Sequence, residues 1–258
     1  MTINIDLIND IAVHHAEHAR DSQWWKESNS RYLSLFEEEF SKHTGTINLG
    51  SSGEVKIRNI DFGSISTKHL FGLDELIIFS WYELNRKKYT SALDLGANIG
   101  LHSLIMNRFG FTVTAYEPDP VHIELFNELI STNSAQNISL RGKAIGVKNE
   151  KLNFTRVLGN TTGNHLTGAK QDPYGELETF EVEVDAFHDV LGEKYSLVKM
   201  DVEGYEVKLI QSLNQDDFAN TDIMLEIGTT ENARDIFVEL DRIGINAFSQ
   251  KNNWQRVS

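Results

Sequence analysis

Ala92-Leu93-Asp94-Leu95-Gly96-Ala97-Asn98-Ile99-Gly100 decides the fold. Ala92 to Leu95 reads as a short apolar strand. Gly96 ends it, because glycine takes a tight turn without a steric penalty and lets a ligand approach the backbone closely. A helix follows over 99–109, with Gly100 in its first turn. The missing side chain leaves space there, and the free N–H groups of a helix start can receive a carboxylate or phosphate. The spacing is G-x-x-x-G, not the G-x-G-x-x-G of dinucleotide-binding turns. Asp94 stands two residues before the first glycine, which suits a ligand bearing an ammonium group better than a pyrophosphate. The plainer alternative is a glycine-rich turn that binds nothing.

Toward the C-terminus, Phe111–Tyr116 reads as a second strand, 121–132 as a helix and 138–146 as a third strand. Leu152–Val157 and Phe180–Val184 alternate, and a polar, glycine-rich loop at 159–176 lies between them. Tyr195–Met200 is a buried strand, followed by a helix at 205–213, a strand at Ile223–Ile227 and a helix at 231–243. The tail from about 246 reads as one or two short strands. Strands alternating with helices predict a parallel sheet covered on both faces. Ligands of such sheets bind beyond the carboxyl ends of the strands.

Two further strand ends carry acids. Tyr116-Glu117-Pro118-Asp119-Pro120 closes the second strand: Glu117 can accept two hydrogen bonds from a ribose diol, and Asp119 can cap the helix starting near Pro120. In Leu197-Val198-Lys199-Met200-Asp201-Val202-Glu203-Gly204-Tyr205-Glu206, two acids flank Val202. One acid there could be a cap; a second is harder to explain by capping alone.

Upstream, residues 1 to about 42 read as helical, 45–62 as a short hairpin, and Leu73 to Leu84 recur at helical spacing. The expected division is an extension over 1–66 and a ligand-binding domain over 67–258. His14, His15 and His18 fall on the first helical stretch, and a solvated helix face is preferred over a metal site. His165, in Gly163-Asn164-His165-Leu166, is the histidine most readily given a role, since a polar inserted loop is a natural lid.

The totals narrow the class. The chain has 258 residues, 40% hydrophobic and 24% charged, which is ordinary globular composition. It has no cysteine, so disulfides, thiolate nucleophiles and cysteine-ligated zinc are excluded. The net charge of −14 repels phosphate backbones, which argues against nucleic acid as a partner. No apolar run approaches the roughly 18 residues of a membrane helix, and the first residues lack a secretory pattern, so a cytoplasmic location is expected. The aromatic N-terminal region leaves self-association open.

Together the three strand-end motifs resemble the FkbM-like family of S-adenosylmethionine-dependent methyltransferases, over roughly residues 70 to 230. Weaker echoes are Asn133, Ala144-Ile145-Gly146, Val184-Asp185-Ala186-Phe187 and Leu225-Glu226-Ile227. The resemblance implies a Rossmann-like class I methyltransferase fold. That fold has a mostly parallel seven-stranded sheet with helices on both faces and the last strand antiparallel, here with a mainly helical N-terminal extension. It also implies S-adenosyl-L-methionine as methyl donor, S-adenosyl-L-homocysteine as product, and O-methylation of a sugar or natural-product-like acceptor. Gly96, Asn98 and Gly100 are then expected to hold the methionine end of the cofactor and Glu117 the ribose, with the backbone around Lys143 and Ala144 beside the adenine; Asp94, Pro118 and Asp201 are expected cofactor-binding residues as well. Asp201, Glu203 and His165 are the expected catalytic residues. Where the family often has a small hydroxyl residue, this chain has His165.

Three alternatives stay open on the sequence. Asp201 and Glu203, with Glu226 as a third oxygen donor, could share a divalent cation such as Mg²⁺. A nicotinamide-dependent oxidoreductase could use a similar fold, although the glycine spacing and Asp94 argue against it. A non-catalytic S-adenosylmethionine-binding module is opposed by the intact Asp201 and Glu203.

Overall fold

The first helix, α1 (Leu7–Val13), is capped by Asp6, whose carboxylate accepts the Asn9 N–H. The computed structural model describes residues 6–41, 45–158, 160, 163–170, 175–192 and 194–257. After α1 come α2 (Gln23–Ser41), an antiparallel hairpin of β1 (Thr46–Asn48) and β2 (Glu54–Lys56), and α3 (Leu73–Asn85). The chain continues through β3 (Ser91–Leu95), α4 (Leu101–Arg108), β4 (Thr112–Tyr116), α5 (Pro120–Thr132), β5 (Ile138–Arg141) and β6 (Ala144–Gly146). Next are β7 (Glu150–Val157), β8 (His165–Leu166), β9 (Leu177–Ala186), α6 (Phe187–Leu191), β10 (Leu197–Met200) and α7 (Glu206–Gln211). The last elements are β11 (Asp222–Leu225), α8 (Thr230–Arg242), β12 (Ala247–Ser249) and β13 (Gln255–Val257).

The contacts divide the chain into two units. One holds the described residues up to Lys87 and those from Ala247 onward; the other is Lys88–Asn246. The division expected at 66/67 lies earlier, because the apolar face of α3, with Leu73, Leu76, Ile77 and Phe79 buried, packs on α1 and α2. The antiparallel β12–β13 hairpin joins the same unit. There His18 is fully buried, not solvated. Its Nε2–H donates to the Ile11 carbonyl (3.0 Å), and its Nδ1 accepts the Trp254 indole N–H (3.0 Å). Trp254 stacks in turn on His15 and Trp81. The helical period placed His18 on a face but could not show that a distant indole covers it.

The second unit is built on a five-stranded sheet of order β11-β10-β3-β4-β5 in which every pairing is parallel. Its central strands are buried almost throughout, as expected of a sheet with both faces covered. The expectation of one seven-stranded sheet with an antiparallel last strand needs correcting for the described residues. The segment read as a single strand over 138–146 breaks at Gly142-Lys143. Its second half, β6, pairs with β9 in a separate four-stranded sheet of order β6-β9-β7-β8. Strand order reverses between β3 and β10, which makes the carboxyl ends of these strands the topological switch point where α/β sheets bind ligands.

Candidate active site

A cleft opens at that switch point, lined by the turns after β3, β4 and β10 and by β6, β7 and β8. Gly96, Asn98, Glu117, Pro118, Lys143 and Ala144 line it, as do Asp201, Glu203 and His165. Nine of the positions singled out from the sequence therefore meet in one place.

Two do not line it. Asp94 is fully buried; Ser103 donates to its Oδ2 (2.6 Å) and the Lys199 ammonium lies 3.7 Å from Oδ1. It balances Lys199, whose Nζ also reaches Asp201 at 3.3 Å. At Gly100 the missing side chain leaves no space for a ligand, because the Phe126 ring fills it. A Cβ there would come 2.5 Å from the ring, and the φ of +85° is itself a glycine conformation. Gly96 does line the cleft, but what approaches it most closely is protein: a Cβ at Gly96 would lie 1.8 Å from the Asp201 carbonyl oxygen.

Two buried glutamates hold the turns. Glu117, 4% exposed, accepts the Asn98 N–H on one oxygen (2.8 Å) and the Asp119 N–H on the other (2.9 Å). Burial pushes its carboxyl up to about 7, against the two N–H groups that favour the ionised form. Glu206 does the same for the turn after β10, accepting from Val202 N–H and Gly204 N–H, each at 2.9 Å. Burial raises its carboxyl as well. Each carboxylate oxygen has two lone-pair directions. The Glu117 oxygens therefore keep acceptor capacity beyond their backbone bonds.

Asp119 is the cap of α5, accepting the Val121 N–H at 2.8 Å, and is fully buried. Arg156 on β7 grips it through two nitrogens, at 2.7 and 2.5 Å, and the Asn164 amide donates to it at 2.7 Å. Burial acts to raise the Asp119 carboxyl, but the Arg156 hydrogen bond and the neighbouring charges outweigh it and hold the group below its ordinary value.

Of the expected loop 159–176, residues 159, 161–162 and 171–174 lie outside the described residues. His165 is not on an exposed loop: it begins β8, pairs with Thr155 of β7 and is 2% exposed. Its Nδ1 lies 3.0 Å from the Gly163 carbonyl oxygen, so that nitrogen carries the proton and Nε2 keeps the lone pair of the neutral ring. Burial lowers its pKa, with Lys170 adding to the effect. Lys170 pairs with Glu203 at 2.5 Å. Glu203 is half-buried, with φ +54°; burial and then the Asp201 charge raise its carboxyl.

The sequence reading missed Arg156, Asn164, His122 and Lys170. Glu206 was visible in the motif but given no role. Among the described residues no group of three or more histidine, cysteine, aspartate or glutamate side chains is arranged to hold a metal ion. The Mg²⁺ alternative thus lacks its donor set: Asp201 and Glu203 face lysines instead.

Residues 94–247 match the family model of the methyltransferase FkbM domain, more than half of the chain. This chain belongs to the FkbM methyltransferase family. No curated protein matches it by sequence. Among solved structures, the FkbM-family chain is similar to methyltransferase FkbM from Methylobacillus flagellatus KT. Identity is 13%, over 90% of this chain and 59% of that one, with a TM-score of 0.44. It is also similar to precorrin-6y C5,15-methyltransferase from Geobacter metallireducens GS-15 (12%, 65% and 72%, TM-score 0.40). A SAM-dependent methyltransferase from Agrobacterium tumefaciens is a third (10%, 64% and 50%, TM-score 0.38). The FkbM-family chain thus spans 59% of the length of the Methylobacillus protein. Among its described residues, no helix is long and apolar enough to cross a membrane.

Proposed function

We propose that this chain binds S-adenosylmethionine in the cleft and methylates an oxygen of a small-molecule or glycan acceptor. The observation that carries the reading is Glu117. It is a buried carboxylate at the end of β4, fixed by two backbone N–H groups, with lone pairs to spare beside the Gly96–Asn98 turn. That arrangement fits a ribose diol. Lys143 and Ala144 border the same cleft on the adenine side, and Asp201 closes it next to Gly96.

When bound, the cofactor supplies a methyl group already activated on a sulfonium. The chain then has two tasks, to align the acceptor oxygen and to remove its proton. His165 suits the second. Its protonated Nδ1 is tied to Gly163, its Nε2 is the basic atom, and burial keeps the ring neutral near pH 7. Asp201 already has the Lys199 ammonium 3.3 Å from its carboxylate, so it orients instead of accepting the proton. Glu203, held by Lys170, shapes the acceptor side.

The test has two arms. Calorimetric titration should give S-adenosylhomocysteine binding and no NAD binding; the reverse would return the oxidoreductase reading. Methyl transfer should then be screened over sugars, polyketides, lipids and small peptides. With the acceptor that turns over, His165→Ala should lose most of kcat. Wild-type turnover in that variant would remove His165 as the base.

A further inference from the structure

His165 occupies a two-residue strand, too short to hold a reacting ring by ladder bonds alone. Something else must fix it, and the neighbouring side chain does so. Asn164 also lines the cleft. Its Oδ1 accepts the Val157 N–H at the end of β7 (2.9 Å), and its Nδ2 donates to Asp119 (2.7 Å). Both ends of one amide are therefore used, one on the small sheet and one on the turn that carries Glu117.

We infer that Asn164 is a positioning residue: it takes no proton, but ties the strand bearing His165 to the buried aspartate that starts α5 beside Glu117. The inference rests on the reading of His165 as proton acceptor. Asp119 is a suitable anchor because it cannot drift: it is fully buried, caps α5 and is clamped by Arg156. Arg156 is itself held, bonding Glu178 at 2.6 Å and lying 4.9 Å over the Phe180 ring on β9. The chain of contacts thus runs from β9 through Arg156, Asp119 and Asn164 to the backbone on which the His165 ring is fixed. The strand that bears the proton acceptor and the turn that bears Glu117 are thus joined by side-chain bonds.

Side-chain NMR of His165 in the full chain tests this without an acceptor. Besides His165, the titratable groups lining the same cleft are Tyr116, Glu117, His122, Lys143, Asp201 and Glu203, with Lys170 close by. None of them is altered by the variants used. Wild-type His165 should show the Nδ1–H tautomer and a midpoint below the ordinary histidine value. Asn164→Ala should mix the tautomers and move the midpoint upward, toward the ordinary histidine value. Arg156→Met should act in the same direction and Arg156→Lys less so, because a lysine keeps one charged donor on Asp119. A tautomer and midpoint unmoved in Asn164→Ala would overturn the inference, whatever happens to thermal stability. If that variant does not fold, Asn164→Ser carries the same comparison. The base reading fails separately, by wild-type turnover of His165→Ala.

Discussion

Glu117 draws opposite consequences from one pKa. Burial moves its carboxyl from 4.5 up to about 7, so the folded chain holds this proton more tightly than the unfolded one. Its contribution to stability therefore rises as pH falls from about 7 toward 4.5, while the ionised acceptor that a ribose diol needs is lost over the same window. Affinity for S-adenosylhomocysteine is expected to rise through about pH 7 and then level off. Glu117→Gln should bind about ten- to a hundredfold more weakly, a loss of about 1.5–3 kcal/mol, and show no such pH dependence. Calorimetry at several pH values checks both; a wild-type affinity that is flat with pH would refute the assignment. The place of Glu117 and Gly96 on the cleft was legible in the sequence because a glycine or an acid at a strand end has few ordinary uses. Asp94 and Gly100 looked the same in sequence and serve packing. Nothing local distinguishes a carboxylate on the cleft wall from one beside Lys199, or a glycine on the cleft wall from one filled by Phe126.

The turns have their own energetics. Glu206 belongs to α7 but grips the backbone ahead of it, so the turn carrying Asp201 and Glu203 is fixed from the helix side. Glu206→Gln puts an amide donor where one backbone N–H needs an acceptor. Losing one buried bond and stranding one donor should cost about 1–3 kcal/mol. Urea denaturation followed by circular dichroism measures it, and an unchanged midpoint would show that the turn does not depend on this side chain. The alternating helices and strands were readable because their apolar periods differ. The split between β5 and β6 was not: residues 138–146 read as one β-rich run, and pairing with β9 is decided some forty residues downstream. The same distance hid Arg156 and Asn164, whose partner Asp119 is 37 and 45 residues away.

At the level of the whole chain, all four tryptophans, Trp24, Trp25, Trp81 and Trp254, fall in the unit that contains α1 and β13. Indole fluorescence therefore reports on that unit alone. His18 within it is held neutral by burial, helped by His15 and His14, with Glu17 bonded to His14. A lowered folded pKa gives stability that is complete above about 6.5 and is lost as pH falls below it. Protonated His18 would also present a second N–H to the Trp254 donor. Indole emission should therefore change in acid, with the transition weakened in His18→Gln; constant emission from about pH 7.5 to 5 would count against this. The indole that covers His18 also bears on how the protein is made. Domains tend to fold as they leave the ribosome, N-terminal first. Here the Lys88–Asn246 unit is continuous in the chain, whereas its predecessor needs β12 and β13 to be finished. The part translated first is completed after the part translated second. Until Trp254 emerges, nascent chains lack the indole that covers His18.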